Sequence, residues 1–190
     1  MSTRQMLVLV LFAMVLLVSA ASKPGVQPGA ETPPVLGLAG SFSKVDVRRA
    51  ELVTDAARWE AVWKEHAGDA IEKTAHGFDI VPQVDFARYA VLCLFDGAST
   101  NTSGLEVLST TPGPVMVRVG FVRQSFQTAS ALGGGGGGGV ATRAYGFAII
   151  PRPAADVVVE EKTYALKNAA PTWVERFRLP APAAPRGPGK

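Results

Sequence analysis

Tyr89-Ala90-Val91-Leu92-Cys93-Leu94-Phe95 is the stretch that decides the fold. It enters from Asp85-Phe86-Ala87-Arg88 and stops at Asp96-Gly97. Seven uncharged residues, rich in branched and aromatic side chains, predict a strand covered on both faces. Side chains alternate along a strand, so Ala90, Leu92 and Leu94 share one face and Val91, Cys93 and Phe95 the other. No other internal segment reads as apolar on both sides, which makes this the expected central strand. Cys93 is the only cysteine in the chain. An intramolecular disulfide is therefore ruled out, and in this strand the thiol acts as a small apolar side chain. A nucleophilic cysteine would need an exposed, electropositive setting.

The clearest helix lies upstream of that strand. Thr54 or Asp55 can cap it and Gly68 can close it. Trp59, Val62, Trp63 and His66 fall at i, i+3, i+4 and i+7, a single apolar stripe that should pack on the sheet. Glu60 and Lys64 stand four apart on another side in the favourable order. His66 ends the stripe in the last turn, where a partly charged imidazole would suit the helix dipole. It reads as a packing residue rather than a ligand.

Several further strands are expected. Val45 and Val47 alternate with polar neighbours in an opening strand that runs toward Leu52-Val53. Leu105–Leu108 and Val115–Val122 form a hairpin around Thr111-Pro112-Gly113-Pro114. Tyr145–Ile150, Val157–Glu160 and Trp173–Leu179 follow, the last with Trp173, Glu175, Phe177 and Leu179 on one face. The expected fold class is α+β, with one amphipathic helix packed on a mainly antiparallel sheet of about six strands.

The ends of the chain carry different signals. Met1–Gln5 is a short basic start, Met6–Val18 is a thirteen-residue apolar run, and Ser19-Ala20-Ala21-Ser22 supplies small residues for cleavage. That pattern predicts a signal peptide over 1–21. The run is short for a spanning helix, which needs about 20 residues, and an uncleaved N-terminal anchor is the alternative. The expected location is periplasmic or extracellular, with no stable membrane insertion after cleavage. A Pro/Gly-rich linker over 22–40, a single domain over 41–180 and a disordered tail over 181–190 complete the organisation. The chain has 190 residues, enough for one substantial core. Its formal charge is +3, and without Arg4, Arg186 and Lys190 the body is balanced. A balanced body argues against non-specific nucleic-acid binding, which needs a concentrated basic face.

Reaction chemistry is sparse. Gly133–Gly139 matches a G-x-G-x-x-G pattern only because a homopolymer matches any glycine pattern. A strand follows it rather than the helix N-terminus that phosphates require, so it reads as a hairpin loop. His66 and His76 are the only histidines. Combined with Glu65, Asp69 or Asp79 they form no recognisable ligand spacing, so no metal and no cofactor is expected. No G-x-S-x-G elbow is present. Glu160-Glu161 reads as a solvated strand end, with a glycosidase-type carboxylate pair as the alternative. Asn101-Thr102-Ser103 fits a glycosylation acceptor.

Two segments carry a family likeness over about Val53–Leu179. Ala57-Arg58-Trp59-Glu60-Ala61-Val62-Trp63-Lys64-Glu65-His66 is similar to the W-x-x-x-W helix of the C-terminal domain family of PrcB-type protease-complex proteins. Val84-Asp85-Phe86-Ala87-Arg88-Tyr89-Ala90-Val91-Leu92, followed by Phe95-x-Gly97, resembles that family's aspartate-phenylalanine entry into an apolar strand. The family usually then has a Gly-Gly-Tyr turn, and here Ser103-Gly104-Leu105 stands in its place without the tyrosine. The resemblance implies an exported, non-enzymatic domain that binds or stabilises another exported protein, such as a protease complex, and it carries over no catalytic residue. Ser103, Gly104 and Leu105 are the candidate binding surface. The alternatives are a hydrolase using scattered carboxylates such as Asp85, Asp96 and Glu106, and a small-ligand module with a pocket between helix and sheet. Carboxylates converging in a cleft would favour the hydrolase, and an exposed apolar patch would favour the binder.

Overall fold

The computed structural model describes residues 29–68, 81–128, 139–164 and 170–182. The signal-peptide, His76, Asp69, Asp79 and Gly133–138 expectations lie outside these residues, as do most of the 181–190 tail and the first part of the 22–40 linker. In chain order the elements are β1 (Leu36–Gly40), β2 (Arg49–Val53), α1 (Ala56–Ala67), β3 (Tyr89–Phe95), β4 (Ser99–Thr100) and β5 (Thr102–Pro112). β6 (Met116–Ser125), β7 (Ala141–Thr142), β8 (Tyr145–Pro151), β9 (Asp156–Thr163) and β10 (Thr172–Leu179) follow.

β3 is the strand its sequence predicts. Its two faces serve two cores: Leu92 and Leu94 join β5, β6 and β9 side chains on one side, and Val91, Cys93 and Phe95 meet the helix on the other. It shares the interior of its sheet with β8, since the order is β1-β8-β3-β2. α1 starts where Asp55 accepts the Arg58 N–H at 2.8 Å. It ends at Gly68, whose φ of 60° lets its N–H bond the Lys64 carbonyl. Trp59, Val62, Trp63 and His66 are its buried residues, as the stripe predicts. Trp59 and Trp63 pack edge to face on each other, and Phe147 lies against both.

The expectation of one sheet of about six strands is corrected. Among the described residues ten strands form three sheets, with a second four-stranded sheet in the order β10-β9-β6-β5 and a β4-β7 ribbon. All pairings are antiparallel except β6 with β9. The result is three layers: α1, the first sheet and the second sheet. The shared core between the sheets contains Leu92, Leu94, Val119, Phe121, Ile150, Val157 and Val159.

Three local expectations also change. Residues 36–40, assigned to the linker, form β1 because β8 supplies a full set of backbone partners from Leu36↔Ile149 to Gly40↔Tyr145. Pairing of that kind overrides the weak strand propensity of Leu-Gly-Leu-Ala-Gly. The Val45–Val47 opening strand does not form; Val45 is buried, Val47 is exposed, and β2 begins at Arg49. In β10 the register shifts between Glu175 and Phe177. One extra residue inverts the alternation, so Trp173 and Glu175 do not share a face with Phe177 and Leu179. Phe177 and Leu179 pack on the core, while Trp173 lies on the outer face of the second sheet.

Candidate functional site

The hydrolase alternative depends on where the carboxylates go. Asp85 shapes the turn before β3, its side chain accepting the Ala87 N–H at 3.1 Å and its carbonyl the Tyr89 N–H at 2.9 Å. Glu106 is on the surface and accepts from Gln124 Nε2 at 2.6 Å. Glu160 and Glu161 are consecutive in β9 and point to opposite faces. Asp85, Asp96 and Glu106 thus have separate partners, and Glu160-Glu161 is not a pair.

Asp96 and Glu161 are nevertheless linked, through arginine. Asp96 follows β3 and is held there by Gly97, whose φ of 69° turns the chain back along Asp46–Arg48. Its carboxylate is bonded by Arg123 Nη1 and lies 3.9 Å from Arg48 Nε. Glu161 accepts from Arg123 Nε at 3.2 Å and from Arg176 Nε at 2.7 Å. Both carboxylate side chains are almost fully buried, while the three arginines are partly exposed. The β10 bulge gives Arg176 its inward direction, a common use of such irregularities. Buried charges persist when paired and hydrogen-bonded in this way. Two carboxylates already bonded to guanidinium groups present no free acid–base pair. Sequence reading missed all three arginines; the signal was an arginine at an inward-facing strand position, Arg123, beside Phe121.

Ser43 and His66 form a second contact. Ser43 Oγ accepts the Val45 N–H at 3.1 Å and lies 3.0 Å from His66 Nδ1. The imidazole is enclosed by Tyr145, Phe147, Trp63 and Phe95. Burial pushes its pKa down to about 4. The ring is therefore neutral at pH 7, which corrects the expectation of a partly charged imidazole complementing the helix dipole. A general base works best with a pKa near the working pH, and among the described residues no carboxylate bonds the ring. Ser43–His66 is a packing contact of the helix end.

Cys93 is fully buried, and burial raises its pKa well above the ordinary thiol value. Asn101 has a φ of 57°, and its side-chain carbonyl accepts the Val140 N–H at 2.7 Å, so the glycosylation-type triplet runs from the turn after β4 into the first residues of β5. Among the described residues no group of three or more His, Cys, Asp or Glu side chains could hold a metal ion, and no helix is long and apolar enough to cross a membrane.

Ser103, Gly104 and Leu105 follow Thr102 near the start of β5. Gly104 and Leu105 are buried, because here the second sheet crosses close to the first. A Cβ on Gly104 would come within 2.9 Å of the Ala39 Cβ, and one on Gly146 would run into the Leu105 carbonyl. Leu105 still lines an opening: a groove of about 480 Å³ runs between β1 and β5, bounded by Pro33, Leu38, Val107, Leu108 and Phe147. The interior between α1 and the first sheet, where a small-ligand pocket was the third option, is filled by Trp59, Trp63 and Phe147. A separate opening of about 460 Å³ lies beside Trp59 and Val81–Phe86.

The edges of the sheets differ in kind. β2 carries Arg49 and Glu51, tied to Glu65 and Arg58 of α1. β10 carries a bulge and the charges Glu175, Arg176 and Arg178. β5 is bulged twice, and its far end is covered by the segment at Gly29–Thr32, which bonds Pro112 and Thr110. β1 has neither a charge nor a bulge, and its first residue Leu36 and the preceding Val35 are exposed. Comparison with protein-family models, curated proteins and solved structures finds no match to this chain.

Proposed function

We propose that this chain is an exported, non-catalytic binding domain that engages another protein through the β1 edge and the groove beside it. The observation that carries the reading is the contrast between β1 and the other edges. Proteins ordinarily blunt exposed edges with charge, bulges or covering segments, because an open edge pairs with other strands. β2, β5 and β10 are blunted in those ways, and β1 is not. An extended segment of a partner would add to β1 through backbone hydrogen bonds and seat alternate side chains against Leu38, Leu105 and Leu108. The chain's own Thr32 already pairs in this manner with Thr110. The resemblance to the PrcB C-terminal family, which runs over about Val53–Leu179 and does not include β1, supports an exported binding domain and suggests a secreted protease complex as the partner.

The test uses a photo-crosslinking residue at position 37, where a side chain would meet nothing within 4 Å. The reading expects a discrete crosslinked product in the exported fraction that disappears with Leu36→Lys, a charge placed on the open edge. No product, or a product indifferent to Leu36→Lys, would overturn it.

A further inference from the structure

Gly120 sits in the middle of β6, where a glycine weakens a strand and marks a close approach. The approaching group is Trp173 of β10. A Cβ on Gly120 would lie 2.7 Å from Cζ3 and 2.8 Å from Cη2 of the indole. The indole therefore reaches across β9 and rests on the β6 backbone, where any larger residue would lift it. It is nonetheless 44% exposed, whereas Trp59 and Trp63 are 3% and 6% exposed. Burying Trp173 is thus not what the glycine achieves. It sets an aromatic ring against the outer face of the sheet with part of its surface left open.

The surroundings of that ring are polar. Lys162, the cross-strand partner of Trp173, holds its Nζ over the indole and over the exposed Tyr164 ring, 5.8 Å from each centroid, so a ligand stacking on the indole meets this ammonium first. Glu160 and Glu175 face each other across β9 and β10, and each accepts from its own arginine, Arg118 at 2.6 Å and Arg178 at 2.8 Å. A protein hot spot is usually ringed by contacts that exclude water. This ring is collared instead by side chains that donate and accept hydrogen bonds. The matching ligand has one apolar, ring-sized face and a polar rim, which is the shape of a pyranose.

We propose that the outer face of the second sheet is a saccharide-binding site in which a sugar ring stacks on Trp173. Lys162, Glu160, Glu175 and their arginines bond its hydroxyls. The site is separate from the β1 groove and does not depend on it.

Tryptophan emission of the full chain reads the test, because the other two indoles are buried. Titration with soluble oligosaccharides of β-linked glucose and of β-linked N-acetylglucosamine is expected to give a saturable change for at least one of them. Trp173→Ala should abolish the change, and Gly120→Ala, which lifts the indole, should weaken binding at least about tenfold. Lys162→Ala should also weaken binding, and it leaves the core untouched if the other variants fold poorly. No saturable response to either sugar at millimolar concentration, or a response that survives Trp173→Ala, would overturn the proposal. So would an emission change produced only by a protein from the exported fraction, which would assign the face to a protein.

Discussion

Asp96 directly follows β3 of the first sheet and Arg123 lies in β6 of the second, and their ion pair ties the end of β3 to β6. The same guanidinium reaches Glu161 in β9, so one side chain compensates two buried carboxylates. Buried ion pairs add little net stability, yet removing one partner is costly because it strands the other.

Arg123→Ala should therefore destabilise by ~3–5 kcal/mol. Asp96 is the more exposed to this loss, since its remaining arginine stands 3.9 Å away while Glu161 keeps Arg176 at 2.7 Å. Denaturant melts should also show that Asp96→Asn rescues part of the Arg123→Ala deficit. A loss too small to measure for Arg123→Ala would mean that water, not arginine, solvates these carboxylates.

The two buried indoles of α1 predict unequal responses to the same substitution. Trp59 Nε1 donates to the Pro82 carbonyl at 2.9 Å, whereas Trp63 Nε1 is buried and finds no partner among the described residues. Replacing either by Phe removes similar volume. Trp59→Phe additionally forfeits a hydrogen bond of about 1 kcal/mol, while Trp63→Phe removes an unpaired donor. Trp59→Phe should be the more destabilising in paired urea melts. Trp63→Ala, which opens a large cavity, should cost ~3–5 kcal/mol, and Glu60→Ala on the exposed side should cost far less.

His66 sets a pH dependence. Its pKa is about 4 in the folded chain and 6.5 ordinarily, so the unfolded state binds the proton more readily. Stability from this group is complete above about pH 6.5 and is lost as pH falls toward 4. Its contribution to the slope cannot exceed one proton, about 1.4 kcal/mol per pH unit. Melts across that window should be flatter for His66→Phe than for the unaltered chain. A titration near pH 6.5 assigned to His66 in the folded protein, read in a His76→Gln background so that only one imidazole remains, would contradict the buried, neutral ring.

Gly146 and Gly37 form an internal control. A methyl at 146 would meet the Leu105 carbonyl, while one at 37 meets nothing. Gly146→Ala should force the sheets apart where β5 crosses β8 and lower the melting temperature clearly. Gly37→Ala should leave it within a degree or two, as surface substitutions typically do. Equal melting temperatures would show that the β5–β8 approach is looser than described.

What the sequence determined by itself was local. Asp55, Gly68 and the Trp59–Val62–Trp63–His66 stripe specify α1 within a dozen residues, because caps and helical period act over neighbouring turns. Tyr89–Phe95 likewise declares a strand between two cores, since its own seven side chains leave no polar face. The tertiary structure decided everything that depended on a distant partner. Leu36–Gly40 is a strand only because β8, over a hundred residues away, pairs with it. Arg123 finds Asp96 and Glu161 only when two sheets stack. The β10 bulge is the sharpest case. Strand alternation has a period of two, so one extra residue turned Phe177 inward and left Trp173 lying outside on Gly120.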